Sequence, residues 1–374
     1  MKKKLLFFGL LVVAAILIAS IAAAVVSAAS AFDKYKEARA QEPVSEEKSG
    51  DSDVEGTSVG IIMPDTDYEA PQIGEYPESQ GSDATDEPDF PPDEEPDEIY
   101  PDALTVSVDV IDSDYTVKVP HAALYDMTDD ILIMTTGLFD RIYPASTTKV
   151  MTALYSMTVV EPDALITVGD EITLIASDSS TAGLRKGQIY TFEQLLYAML
   201  MRSGNDAAYT IATYCGRSIA DNPDLEASDA VGVFMERMNA YIDAVGMLDT
   251  NFVAPDGYHD PDHYTTLYDV LIMSKLALQN EALVRITSTY TYSTTIVSGD
   301  KVSYTNTNSL LYEGNGYGVS RVIGLKTGYT RAAGYCLIAA AEGDDGHIYV
   351  ALIYGAEKSR RYTTASQLLR YGMG

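Results

Sequence analysis

A serine followed three residues later by a lysine can place both side chains on one helical face, where the amine can take the hydroxyl proton. That arrangement matters in this chain because it has only four histidines, His121, His259, His263 and His347. None lies in a context that marks a Ser-His-Asp triad, so a serine nucleophile here needs another base. Three Ser-x-x-Lys segments occur: Ser45 to Lys48, Ser298 to Lys301, and Ser146-Thr147-Thr148-Lys149. The first lies in an acidic, unpatterned stretch and the second in a turn-like one. The third is accompanied by two further motifs that each occur once, Ser203-Gly204-Asn205 and Lys326-Thr327-Gly328. For Lys149 to act as a base it must be neutral, which requires burial or a neighbouring cation. A helix start at Ser146 would also favour negative charge developing there. His259 and His263, with Asp260 and Asp262 nearby, raise a metal site, but Pro261 disfavours a helix and such loop residues usually serve turns. No metal is expected.

The elements that must hold these residues can be read from periodicity. Val106, Val108 and Val110 alternate with polar residues, and apolar runs follow at 122–125 and 131–134, all predicting early strands. After Pro144 the period becomes helical, with Val150, Leu154 and Met157 on one face and Ser146 in the first turn. Phe192, Leu195, Leu196 and Met199 predict a second helix running into Ser203, and Asp206 is a candidate cap for a third over 207–214. Further helices are predicted at 234–245, 267–278 and 362–371, and strands at 322–326, 335–340 and 348–354. Each of the three motifs is thereby expected at the end of an element. Strands at both ends of the region with helices between them predict an α/β (α+β) fold: one antiparallel sheet built from the two ends and covered by helices, with a helical insertion.

The rest of the chain has a different character. Its 374 residues carry a formal net charge of -30. The stretch from Glu42 to Asp102 holds 21 acidic residues and one basic residue, so two thirds of the net charge sits there. An acidic chain lacks the basic face that phosphate contacts require, which excludes nucleic acid as a partner. Rich in Pro, Ser, Gly, Asp and Glu, residues 32–103 read as a disordered linker that cannot bury enough apolar surface to offset ordering entropy. Extended at about 3.1 Å per residue, such a linker spans on the order of 100 Å or more. Before it, Lys2, Lys3 and Lys4 precede an uncharged, mostly apolar run at residues 5–29. A run this long suits a membrane span better than a cleavable signal core, and the lysines place the chain beyond Ala29 outside the cell. Residues 1–31 are accordingly expected to act as an N-terminal membrane anchor, or as a signal peptide if cleaved after the small residues near Ala28. Cys215 and Cys336 cannot form a disulfide framework and read as small buried hydrophobes.

With these motifs in view, residues 119–372 resemble the penicillin-binding D-alanyl-D-alanine carboxypeptidases, serine D,D-peptidases related to the β-lactamases. The likeness extends through Pro144-Ala145-Ser146, Asn205-Asp206-Ala207-Ala208, Asp256-Gly257-Tyr258-His259-Asp260, Asn306-Thr307-Asn308-Ser309 and Gly324-Leu325-Lys326-Thr327-Gly328-Tyr329-Thr330. It implies a β-lactamase/transpeptidase-like catalytic domain over 104–374. Ser146 would be the nucleophile and Lys149 its base, with Ser203 shuttling a proton to the leaving amine and Asn205 holding the Lys149 amine and the substrate amide. Lys326 and Thr327, supported by Arg361, would bind the substrate's terminal carboxylate, and Lys326 would help to depress the Lys149 pKa. Gly328 would leave room for a substrate strand, and the backbone N–H groups of Ser146 and Tyr329 would form the oxyanion hole. The implied reaction removes the terminal D-alanine from peptidoglycan stem pentapeptides through an acyl-enzyme, with β-lactams as covalent inhibitors and no cofactor. A D,D-endopeptidase, a β-lactamase and a non-catalytic wall-binding or penicillin-sensing module are the competing readings. A β-lactamase would need a deacylating carboxylate, and no clear Glu-x-x-x-Asn stands between Ser203 and Lys326. Many relatives continue into a small β-domain and an amphipathic C-terminal anchor, which makes the N-terminal run the expected anchor here, on the outer face of the cytoplasmic membrane.

Overall fold

In the computed structural model, residues 103–374 are described, apart from 113, 313 and 315. The expected N-terminal anchor or signal and nearly all of the acidic linker lie outside the described residues. Among those described, no helix is long and apolar enough to cross a membrane.

Nine strands among the described residues form three sheets. The main sheet is antiparallel with order β2-β1-β9-β8-β7: β1 (His121–Asp126), β2 (Ile131–Thr136), β7 (Val322–Thr330), β8 (Gly334–Glu342) and β9 (Ile348–Ala356). The two ends of the region thus meet where β1 pairs with β9, Leu124 opposite Ala351. These strands read as apolar runs because the sheet is buried on both faces. Successive residues serve alternate cores: Val350, Leu352 and Tyr354 face the larger one, Ala351 and Ile353 the smaller. The smaller core is closed by the last helix, α7 (Arg360–Gly372), through Tyr362, Ala365, Leu368 and Leu369.

The larger core is closed by α1 (Lys149–Val159), α2 (Phe192–Met201), α3 (Asn205–Ile219), α4 (Ala227–Ala244) and α5 (Leu267–Gln279), with the shorter α6 (Glu281–Ser288) beside β7. Helix α2 starts on a capping box, in which the Thr191 hydroxyl accepts from the Gln194 N–H and the Gln194 side chain accepts from the Thr191 N–H. Two small hairpins, β3 (Leu165–Thr167) with β4 (Ile189–Thr191) and β5 (Thr291–Thr295) with β6 (Lys301–Thr305), decorate this side.

Several expectations are corrected here. The alternation at Val106, Val108 and Val110 does not form a strand of the sheet. The segment skims the outer edge of β2 through a bridge between Val110 and Leu132 and bonds from the Ile111 and Asp112 N–H groups. Only Val106 of the three is fully buried, so most of the period-two pattern has no second layer to cover it. Helix α4 begins seven residues before the expected Phe234, on a more polar first turn. Asp206 is not a cap. Gly204 occupies the N-cap of α3, and the buried Asp206 carboxylate, within the first turn, accepts from the Ala207 N–H and from the N–H groups of Ala182, Gly183 and Leu184. Strand β7 continues four residues past Lys326, so Lys326-Thr327-Gly328 lies inside an edge strand rather than at its end. Both cysteines are free and buried.

Candidate active site

The site lies where edge strand β7 meets the helical layer. Ser146 sits in a 3-10 turn, Ala145–Thr148, that leads directly into α1. The helix expected at Ser146 is therefore a tighter turn first, and Ala145 is held at φ +49°, a region that costs a non-glycine residue free energy. Ser203, at the junction of α2 and α3, is likewise held at φ +57°. Left-handed, non-glycine backbone thus occurs immediately before Ser146 and at Ser203, a conformation that concentrates at functional sites.

Lys149 is wholly buried one turn after Ser146. Its Nζ lies 3.0 Å from Ser146 Oγ, 2.7 Å from Asn205 Oδ1 and 2.6 Å from the Asp256 carbonyl oxygen. Burial lowers its pKa to about 8, against the pull of the Asp256 and Asp206 carboxylates. Asn205 is aimed by its other end, where Nδ2 donates to Ser179 Oγ at 3.0 Å. Lys326, also buried, donates to Ser203 Oγ at 3.0 Å and to the Thr327 carbonyl at 2.8 Å. Its pKa is held well below the ordinary lysine value by burial first, then by the charges of Lys149 and Arg361. Burial is the leading cause at both lysines, and the charge of Lys149 adds to the lowering of Lys326.

The remaining predicted residues gather around this pair. Thr327 Oγ1 is 2.7 Å from Thr307 Oγ1. Arg361 donates from Nη1 to the Gly328 carbonyl at 3.4 Å and lies over the rings of Tyr362 and Tyr335. A Cβ at Gly328 would lie 3.2 Å from the Ser146 backbone nitrogen and 3.1 Å from the Pro144 carbonyl oxygen. The bare backbone there lets β7 approach the Ser146 turn, a closer role than the room for a substrate strand expected of it. Tyr329 is 55% exposed and lines a cleft of about 460 Å³ with Ser146, Asn205, Ser179, Tyr258 and Arg331.

Some contributors carry no signal in their side chains. The Asp256 main-chain carbonyl holds Lys149, and Gly257 after it, at φ +78°, packs so tightly that an added Cβ would fall 1.9 Å from the Ala145 carbonyl oxygen. The Asp256-Gly257 pair is visible as a motif, but a carbonyl carries no residue-type signal. Ser179 has none. His263 is not free to hold a metal: Nδ1 accepts from the Val253 N–H at 3.1 Å and Nε2 lies 2.8 Å from Thr148 Oγ1. An amine beside a hydroxyl, with two carbonyl-type acceptors oriented on that amine, is an arrangement that can generate a serine nucleophile.

The same features recur in known proteins. A family profile described as D-alanyl-D-alanine carboxypeptidase matches residues 110–357. The chain is 30% identical to D-alanyl-D-alanine carboxypeptidase DacF of Bacillus subtilis over 223 residues, covering 58% of this chain and 52% of DacF. It is 28% identical to DacD of Escherichia coli over 239 residues, 61% of this chain and 56% of DacD. It thus spans about half the length of these curated relatives. A structure of the Streptomyces K15 DD-transpeptidase superposes with a TM-score of 0.62 at 26% identity, covering 69% of this chain and 98% of that one. The match across 110–357, together with a fold that brings all three motifs into hydrogen-bond contact at one site, places this chain in the D-alanyl-D-alanine carboxypeptidase family.

Proposed function

We propose that the protein is a serine D,D-carboxypeptidase that removes the terminal D-alanine from peptidoglycan stem pentapeptides, with Ser146 as nucleophile. The observation that carries the proposal is the setting of the Lys149 amine. A neutral amine has two N–H bonds and one lone pair. Asn205 Oδ1 and the Asp256 carbonyl, which can only accept, take the two N–H bonds, so the lone pair is left for the Ser146 hydroxyl.

In this reading Ser146 Oγ bonds to the carbonyl carbon of the D-Ala–D-Ala peptide as its proton passes to Lys149. The oxyanion is held by the N–H groups of Ser146 and Tyr329, a contribution of roughly 3 to 4 kcal/mol per donor. Collapse breaks the C–N bond as Ser203 gives its hydroxyl proton to the departing amine of D-alanine and is reprotonated by the proton that Lys149 took, which leaves Lys149 neutral again. Water then attacks the ester, releasing the shortened peptide and restoring Ser146. The terminal carboxylate binds Lys326, Thr327 and Arg361; arrival of that anion favours the ammonium form of Lys326, offsetting its burial. β-Lactams acylate Ser146 in the same way.

The test is covalent labelling by a fluorescent penicillin alongside release of D-alanine from a pentapeptide. Wild type is expected to label and to release D-alanine, and Ser146→Ala to do neither. An unlabelled wild type, under conditions that label an active relative, would exclude the proposal. Supplying an amino-acid acceptor distinguishes hydrolysis from transfer, the reaction for which the Streptomyces protein is named. The catalytic part is held at the outer face of the cytoplasmic membrane by residues 5–29; the support is the length of that apolar run behind three lysines.

A further inference from the structure

The turn that carries Ser146 is strained, and two buried hydrogen-bond chains converge on it. Each ends on a carbonyl of the turn. The Thr147 hydroxyl donates to the Pro144 carbonyl at 2.7 Å, and the Thr148 hydroxyl donates to the Ala145 carbonyl at 2.9 Å. A hydroxyl has one proton, so whatever else approaches these oxygens must donate to them. At Thr147 the approaching group is Tyr354 Oη, 2.9 Å away, on strand β9 of the main sheet.

At Thr148 it is His263 Nε2, at 2.8 Å. Because His263 Nδ1 accepts from the Val253 N–H, the proton of the neutral ring is on Nε2. The ring is 2% exposed and stacks on Phe252 at 4.8 Å, and burial pushes its pKa down to about 3, so it stays neutral. The chain therefore runs in one direction: Val253 N–H to His263, His263 to Thr148, Thr148 to the Ala145 carbonyl. That carbonyl belongs to the same peptide group as the Ser146 N–H. Hydrogen bonds in series polarise one another, and a bond accepted by an amide oxygen makes the N–H of that amide a stronger donor.

We infer that His263 is a positioning residue which, through Thr148, orients and polarises the Ala145–Ser146 peptide so that the Ser146 N–H serves as an oxyanion donor. Tyr354 steadies the preceding peptide of the turn through Thr147. Neither touches substrate. The inference rests on Ser146 being the nucleophile, and its test separates the two claims.

The measurement is the acylation rate of the full-length chain by a fluorescent penicillin, with a thermal melt for each variant. His263→Phe keeps the ring stacked on Phe252 and removes both hydrogen bonds; Thr148→Val cuts the chain at its next link. Each is expected to slow acylation about tenfold, less than the 10² to 10³ of losing an oxyanion donor outright. The double variant should be no slower than the slower single one, because both changes break one chain. His263→Gln, which still carries an N–H toward Thr148, should recover most of the rate, whereas a role in packing alone predicts no recovery. Multiplying effects in the double variant, or wild-type rates in both single variants, would overturn the inference. If His263→Phe does not fold, Thr148→Val and His263→Gln decide it by the same rates. A wild type that does not label would instead overturn the assignment of Ser146.

Discussion

Lys149 has no exposed surface and three oxygens around its nitrogen, so its protonation state governs what Ser146 can do. Its pKa is about 8, below the ordinary lysine value. Below that pH the amine holds three protons and has no lone pair to offer; above it the amine is a base. Acylation by penicillin is therefore expected to rise about tenfold per pH unit up to about pH 8 and then level off. A stopped-flow rate profile that is flat from pH 6 to 9 would contradict Lys149 as the base. The site also shows why a short motif can mislead. Ser298 to Lys301 shares the same spacing, but it turns the β5–β6 hairpin in the open, with Lys301 exposed. Burial, not spacing, separates a base from a surface charge.

At the scale of elements, the site depends on close approaches that only glycine permits. Gly216 in α3 faces α4 so closely that an added Cβ would lie 1.8 Å from the Ala230 carbonyl oxygen. Because backbone cannot yield as a side chain can, Gly216→Ala is expected to destabilise the protein by about 1 to 3 kcal/mol or more, outweighing the better helix propensity of alanine. A denaturant melt checks this; an unchanged or raised midpoint would mean that the helices can move apart. Far from the cleft, His347 Nδ1 lies 2.8 Å from Asp126 Oδ2, tying the β8–β9 turn to the end of β1. The Asp126 hydrogen bond, with the charges of Asp126, Asp129 and Asp345, raises the His347 pKa above its ordinary value. A raised histidine pKa gives stabilisation that is complete below about pH 6.5 and lost as the pH climbs through the folded value. Amide exchange in the turn, corrected for its intrinsic pH dependence, should speed up across that rise in wild type and not in His347→Gln. Equal behaviour of the two would remove the ion pair as the cause.

For the whole molecule, the uneven charge matters most. In the sequence, 61 residues that hold 21 acids precede the described part, and these follow an apolar run preceded by three lysines. Retention of that run predicts recovery in the membrane fraction, released by detergent and not by high salt; a mature N-terminus near Ala29 on a soluble protein would refute it. Legibility in the sequence obeys the same physics. Apolar runs at 122–125, 335–340 and 348–354 are legible because the sheet is buried on both faces, and the helices at 149–159, 192–201 and 267–279 because long apolar segments at helical spacing are buried on nearly every side. Hairpin β5–β6 and helix α6 escape such a reading, since mostly Ser, Thr and Tyr side chains on a half-exposed ribbon give little apolar contrast, and a helix of only two turns is too short for its period to stand out. By itself the sequence determined which side chains could do chemistry, through three motifs that share one order along the chain. Tertiary structure alone decided how that chemistry is tuned: the desolvation of Lys149 and Lys326, the carbonyl of Asp256, and the buried His263 and Tyr354 under the Ser146 turn. Those effects arise from groups far apart in the chain and from backbone atoms that every residue shares, so no residue type announces them.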